Sequence, residues 1–322
     1  MKTKILPNIE NINFRPFPGL ASPHLQTFFG TFSWRGKAPP SIQHFIPLQD
    51  GDHLCCEIST PPSWEVHQKT LLLIHGLGGS HASSYMVRLS RQFYEKGYRV
   101  VRANMRGSGS GKHHAQLPYH GGVSQDLLKV IQILKDKTPD SDIILLGFSL
   151  GGNIALKLTG ELATDPNSLL KHTIAVCPPI DLSGTINLLC NRSNRLYHNY
   201  YLKLLKPTAK RWGADSKKIF SMHDFDNQVT APIWGFKNAE DYYRQSSSCY
   251  LLPNIQRNCQ ILFAKDDPFI DYRSILKAPL PPSVQVFLSE YGGHMGFIGE
   301  TEKRRSYFWL DHLMQKWVAA IH

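Results

Sequence analysis

From Thr70 to Cys177 the chain alternates between short runs rich in Val, Ile and Leu and longer stretches of helical spacing. Thr70–His75, Tyr98–Ala103, Asp142–Leu146 and Thr173–Cys177 have strand length. Between them, Ser83–Lys96 repeats Met86, Leu89 and Phe93, and Val123–Leu134 repeats Val123, Leu127, Val130, Ile131 and Leu134. Asn153–Leu162 is a third such stretch. Alternation of this kind predicts an α/β fold, a mostly parallel central sheet with helices on both faces. The rhythm breaks after Pro178-Pro179, and roughly 80 residues pass before the next apolar run, Gln260–Ala264. A structureless loop that long is uncommon. Its Leu, Tyr and Lys content predicts helices, so residues from about 182 to 255 are expected to form a helical cap insertion. Val284–Leu288 is the expected last strand. Arg304–Ile321 is the expected last helix, with Trp309, Leu313 and Trp317 as an apolar stripe that packs on the sheet. A membrane-facing stripe is the alternative.

The N-terminal side is less regular. Residues 1–42 are rich in Pro and aromatics and weakly periodic, which predicts an irregular arm packing on the core, with the main domain spanning 43–322. His44–Leu48 and His53–Ile58 flank Asp50-Gly51-Asp52, a hairpin signal. At 322 residues and 42% hydrophobic composition the chain has ample material for one large core, which excludes global disorder. No run reaches the roughly 18–20 apolar residues of a membrane helix, and Asn8, Glu10, Asn11 and Asn13 stand where a signal peptide would be apolar. The expected location is cytoplasmic, with peripheral membrane contact as a variant of it. Six cysteines without C-x-x-C spacing are read as buried, reduced thiols, and no metal or cofactor is expected.

The net charge of +11 is unevenly placed. Between Leu188 and Phe220 stand Arg192, Arg195, Lys203, Lys206, Lys210, Arg211, Lys217 and Lys218 against the single acid Asp215, interleaved with Tyr197, Tyr200, Tyr201 and Trp212. A solvated helical face explains this. So does an anionic membrane surface or amphiphilic substrate. Nucleic acid is not expected as a partner, because no recognised binding motif accompanies the charge.

The strongest chemical signal is Gly147-Phe148-Ser149-Leu150-Gly151-Gly152, which follows an apolar strand and precedes a helix. G-x-S-x-G in that setting is a nucleophile elbow, a tight turn that exposes the serine oxygen at a helix N-terminus. A serine needs a base to take its proton, and the base needs a carboxylate to orient it. The chain supplies these in the order serine, acid, base. Asp266 and Asp267 follow the strand Gln260–Ala264, and His294 follows Val284–Leu288, flanked by Gly292, Gly293 and Gly296. Asp267 is the preferred acid because it directly precedes the turn-forming Pro268; Asp266 is the alternative. The oxyanion that acyl transfer develops requires two preorganised N–H donors. Leu150, after the nucleophile, is one candidate, and Leu77, in His75-Gly76-Leu77-Gly78-Gly79, is the other. His75 is read as structural. Arg106-Gly107-Ser108-Gly109-Ser110-Gly111 matches no phosphate-binding pattern and is read as a turn braced by Arg106. His113, His114 and His120 lack metal-ligand spacing and are read as exposed.

With these elements in place the sequence resembles the α/β-hydrolase superfamily, and within it the YheT-like hydrolases. The stretches that carry the resemblance include Phe14-Arg15-Pro16-Phe17-Pro18-Gly19-Leu20, Pro23-His24-Leu25-Gln26-Thr27, Asn104-Met105-Arg106-Gly107, Asp241-Tyr242-Tyr243, Ala264-Lys265-Asp266-Asp267-Pro268-Phe269 and Gly292-Gly293-His294-Met295-Gly296-Phe297, beside the elbow and the Leu77 loop. The resemblance implies Ser149, Asp267 and His294 as a charge-relay triad and carboxylic-ester hydrolysis without a cofactor. The Tyr- and Leu-rich cap points to an acyl ester as substrate. Two other readings are acyl transfer to an alcohol by the same triad and a non-enzymatic role at a membrane surface.

Overall fold

The computed structural model describes residues 8–32, 36–164, 169–301 and 307–322. Among them one sheet contains β1 (Ile9–Asn11), β2 (Ile42–Pro47), β3 (His53–Ser59), β4 (Thr70–Ile74), β5 (Arg99–Ala103), β6 (Ile143–Phe148), β7 (His172–Val176), β8 (Cys259–Ala264) and β9 (Val284–Ser289). Their order across the sheet is β1-β9-β8-β7-β6-β4-β5-β3-β2. Only β3 runs against the rest, pairing antiparallel with β2 and β5. The predicted hairpin, the alternation and the parallel sheet are all present.

Every residue of β4 and β6 is buried. Helices cover both faces, so these strands read as unbroken apolar runs rather than as alternating ones. Leu71, Leu73, Ile144 and Leu146 point toward α2 (Ser84–Glu95) and α10 (Trp309–Ala319). Leu72, Ile74 and Leu145 point the other way, toward α3 (Ser124–Lys137) and α4 (Leu150–Glu161). Each such side chain contributes about 1.5–3 kcal/mol through burial. Arg88 on α2 and Asp311 on α10 form a buried ion pair at 2.8 Å that fixes how these helices pack. The stripe Trp309, Leu313, Trp317 packs into this core. The helix begins at Trp309, because Phe308 instead bridges to Ile298; Arg304 lies outside the described residues.

Two expectations are corrected. The arm is not irregular. It adds β1 as a parallel edge strand on β9 and forms α1 (Pro23–Phe32), and it sends Phe14 into the core against Phe297 and Trp309. The cysteines are free, as read, but not all are buried: Cys190 is exposed and Cys249 half-buried.

Between β7 and β8 lie α5 (Leu182–Leu189), α6 (Arg195–Arg211), α7 (Met222–Phe225), α8 (Ala231–Trp234) and α9 (Ala239–Ser246). A π-helical turn, Asp226–Thr230, links α7 to α8. Leu202, Ala209, Ile219, Phe225 and Val229 give this region a small core of its own. Asn153 of α4 anchors it to the sheet. Its amide donates to the carbonyls of Gly121 and Ser246, and its oxygen accepts from the Ser248 N–H.

Arg106, read as a brace, is the hub of a buried charge network. Its guanidinium binds Asp126 of α3 through two parallel hydrogen bonds, at 2.6 and 2.7 Å, and reaches Asp50 and Asp52 in the hairpin turn at 2.7 and 2.9 Å. Without the cation three carboxylates would face one another, two of them largely desolvated. Arg106→Ala is therefore expected to lower the unfolding free energy by about 3–5 kcal/mol in urea titrations. Arg106→Lys should recover only part of this, since an ammonium cannot reproduce the planar fork. A loss below about 1 kcal/mol in the alanine variant would contradict the assignment.

Candidate active site

Ser149 sits between β6 and α4 with φ 50° and ψ −123°. A residue with a side chain held there costs of the order of 1–3 kcal/mol. The turn leaves no room beside it. A Cβ on Gly147 would stand 2.4 Å from the Gly151 carbonyl oxygen, and one on Gly151 would stand 2.5 Å from that of His75. Both positions must be glycine for the backbone strands to pass. Ser149 thus caps the N-terminus of α4, where partial positive charge accumulates. The place in the sheet matters as much. β4 and β6 are neighbours, yet the chain leaves β4 toward β5 on one side and β6 toward β7 on the other. Open sheets form their ligand crevice where strand order reverses in this way.

His294, from the loop after β9, and Asp267, from the loop after β8, meet Ser149 at this crevice. The Asp267 Oδ2 lies 2.7 Å from His294 Nδ1, and His294 Nε2 lies 2.8 Å from Ser149 Oγ. A carboxylate only accepts, so Nδ1 carries the proton and Nε2 is left to accept the serine hydroxyl. The other Asp267 oxygen accepts the N–H groups of Phe269 and Ile270 at 3.1 and 3.0 Å, which fixes the carboxylate plane. Asp266 does not reach the imidazole. Its Oδ1 accepts the Gly293 N–H at 2.9 Å, bracing the histidine loop, and burial raises its pKa.

The Leu77 loop abuts the serine. Gly76 N–H donates to the Tyr85 hydroxyl at 3.0 Å and Gly78 N–H to the Tyr119 hydroxyl at 2.8 Å. The N–H between them, on Leu77, has no hydrogen-bond partner among the described residues, and neither has that of Leu150. Both residues line the same cleft as Ser149. His75 is fully buried, donating from Nδ1 to the Gly76 carbonyl and accepting the Met105 N–H at Nε2. Burial lowers its pKa to about 4, so it stays neutral as a structural link.

Sequence reasoning missed the supports of the histidine loop, which come from the arm. Thr27 Oγ1 accepts the His294 N–H at 2.9 Å, and the Gln26 amide both donates to and accepts from Ile298. Phe269 packs on the imidazole with ring centroids 4.2 Å apart. The signal was in the Pro-His-Leu-Gln-Thr stretch, whose role only the tertiary contact reveals.

Residues 69–188 match a family described as the alpha/beta hydrolase fold. The YheT protein of Escherichia coli (strain K12), named as an esterase, is 32% identical over 319 residues, covering 95% of this chain and 92% of that one. The chain belongs to the α/β hydrolases, in their YheT-like branch. The human protein named Phospholipase ABHD3 is 27% identical, covering 92% of this chain and 79% of its own. The Saccharomyces cerevisiae protein named Monoacylglycerol lipase is also 27% identical, covering 74% and 56%. A Pyrococcus furiosus esterase structure, Pf2001, superposes with a TM-score of 0.60 at 15% identity over 97% of this chain and 98% of that one, a likeness of fold.

In this hydrolase the cleft beside Ser149 encloses about 80 Å³ and is walled mainly by apolar side chains of the inserted helices, among them Leu182, Ile186, Leu189, Leu205, Met222 and Phe225. His120, expected to be exposed, is buried in its wall between Trp234, Phe236 and Tyr242, and burial lowers its pKa to about 3. Among the described residues no His, Cys, Asp or Glu cluster could hold a metal ion.

One carboxyl interrupts the apolar wall. Asp226 accepts hydrogen bonds from Thr230 and Tyr243, both at 2.8 Å, and burial raises its pKa to about 6. From about pH 4 to 6 the folded chain therefore holds a proton there that the unfolded chain has released, so stability falls as pH rises through this window. Two pKa units amount to roughly 3 kcal/mol. Asp226→Asn keeps acceptor and donor capacity but does not ionise. Its stability relative to the parent is expected to improve by roughly that amount between pH 4 and pH 7 in urea titrations. A difference that does not change with pH would refute the assignment.

Proposed function

We propose that the protein is a serine hydrolase that cleaves carboxylic esters of acyl chains through an acyl-enzyme intermediate. The observation that carries this is the continuous hydrogen-bonded path from Asp267 through His294 to Ser149, at 2.7 and 2.8 Å, beside two unengaged N–H groups. In this reading Ser149 Oγ attacks the ester carbonyl while His294 Nε2 takes its proton. Asp267 holds the tautomer and stabilises the imidazolium. The Leu77 and Leu150 N–H groups bind the oxyanion as it forms. His294 then returns the proton to the leaving alcohol oxygen, the C–O bond breaks, and the acyl group remains on Ser149. Water, deprotonated by the same imidazole, attacks the acyl-enzyme and releases the carboxylic acid.

The apolar cleft supports an acyl chain as the group bound beside Ser149, since burying each methylene contributes about 0.8 kcal/mol. The names of the relatives, esterase, monoacylglycerol lipase and phospholipase, support the same substrate class.

Ser149→Ala is expected to abolish turnover of p-nitrophenyl acyl esters, by at least about 10³-fold, together with covalent labelling by a fluorophosphonate. Asp267→Asn should lower kcat by the order of 10³–10⁴ by favouring the wrong imidazole tautomer. Asp266→Asn should retain most of the activity. Labelling that persists in Ser149→Ala, or equal losses in the two aspartate variants, would overturn the assignment.

A further inference from the structure

Helix α6 has two unlike faces. Its inner side buries Leu202 and Ala209, and Tyr201 and Leu205 line the cleft with Ser149. Its outer side carries Leu196, Tyr200 and Leu204, one above another at intervals of four residues, and all three are exposed. Leu196 is 84% exposed and, beyond the helix, Phe220 is 75% exposed, with Trp212 between them also exposed. Isolated exposed leucines are ordinary, but a row of them rimmed by cations marks a contact surface.

The rim is cationic throughout. Arg192, Arg195, Lys203, Lys210, Arg211, Lys217 and Lys218 are all exposed. The helix contains no acid, and none of these seven side chains has an ion-pair partner among the described residues. Two acids stand nearby and both hold backbone: Asp215 caps the turn that follows by accepting the Lys217 N–H, and the half-buried Asp224 accepts the Phe220 and Ser221 N–H groups. No helix among the described residues is long and apolar enough to cross a membrane.

The surface adjoins the entrance to the crevice. Leu204 lies over the Leu77 loop, close enough that a Cβ on Gly78 would meet its Cδ1 at 2.7 Å. A second cleft, bounded by Pro207, Arg211 and Trp212, shares Leu77, Leu205 and Phe225 with the one beside Ser149. At the other end of α6, Tyr197 stacks on His24 of α1, whose Leu25, Phe28 and Phe29 are also exposed.

We propose that the outer face of α6, continued through Trp212, Lys217, Lys218 and Phe220, docks on an anionic lipid bilayer. Apolar side chains enter the acyl boundary while the surrounding cations meet lipid phosphates, the arrangement of an interfacial amphipathic helix. Charge alone would suit other polyanions. The exposed Leu196 and Phe220 favour the bilayer, because they gain only by leaving water. Docking stands apart from the catalytic reading; only the delivery of acyl lipid to Ser149 rests on it.

Full-length Ser149→Ala protein should cosediment with phosphatidylcholine vesicles that contain phosphatidylglycerol and much less with vesicles of phosphatidylcholine alone. Added salt should weaken the binding. Combined reversal of Lys203, Lys210, Lys217 and Lys218 to Glu should weaken it by roughly fivefold or more per site. Leu196→Ser with Phe220→Ser should weaken it at every salt concentration. In the Ser149 background, none of these variants should change turnover of a water-soluble short-chain p-nitrophenyl ester or the thermal melting profile. Equal binding to both vesicle types, no loss on charge reversal, or binding to duplex DNA in place of vesicles would overturn the proposal. Absence of esterase turnover in the parent Ser149 protein, with vesicle binding intact, would count against the catalytic reading alone.

Discussion

A serine backbone turned to φ 50° is the constraint on which the rest of the site depends. Nothing local favours it, since the left-handed region crowds a side chain. It persists because β6 is buried on both faces, α4 is packed behind it, and Gly147 and Gly151 let three stretches of backbone touch. Strain is not confined to that turn. Cys177 at the end of β7 and Met295 and Phe297 in the histidine loop also have positive φ. Strained backbone gathers where the surrounding structure over-determines it, and here it gathers beneath the three side chains that must converge.

The histidine loop shows the same logic by other means. His294 is positioned by contacts from four directions: the carboxylate of Asp267, the ring of Phe269, the hydroxyl of Thr27 and, through Gly293, the carboxylate of Asp266. Thr27, whose hydroxyl also donates to the Pro23 carbonyl, and Asp266 meet this loop only at its backbone, so they act through the position of the imidazole. This explains why the arm is held so closely. Gly30 of α1 approaches Gly296 so tightly that a Cβ would stand 2.6 Å from its Cα. The arm is thus part of the support of the site as well as of the sheet edge.

What could be read from sequence follows from these distances. β4 and β6 were legible because two-sided burial leaves nearly unbroken apolar runs, and the elbow was legible because its sterics demand glycines at fixed offsets. Asp267 could be preferred to Asp266 only from the proline beside it. What separates them is which carboxylate the β8–β9 loops turn toward the imidazole, a tertiary fact. β1 is three residues long and pairs with a strand more than 270 residues away, so no local pattern announces it. α1 is spelled with Phe, Thr and Gly, poor helix formers that tertiary contact overrides. His120 looked solvent-facing because nothing in Leu117-Pro118-Tyr119-His120-Gly121-Gly122 announces that Trp234, Phe236 and Tyr242, over a hundred residues later, will enclose it.

The inserted helices draw two different surfaces from one stretch of sequence. Along α6 the positions that face inward are Tyr201, Leu202, Leu205 and Ala209, and those that face outward are Leu196, Lys203, Lys210 and Arg211. A net surplus of cations there adds nothing to the stability of the fold, because like charges along one helix repel one another by a few tenths of a kcal/mol per neighbouring pair. An apolar side chain left in water contributes nothing to the core either. Features that cost stability in the isolated chain make physical sense where something outside the chain meets them. On this helix that outer face lies one residue layer away from the wall of the cleft that holds Ser149.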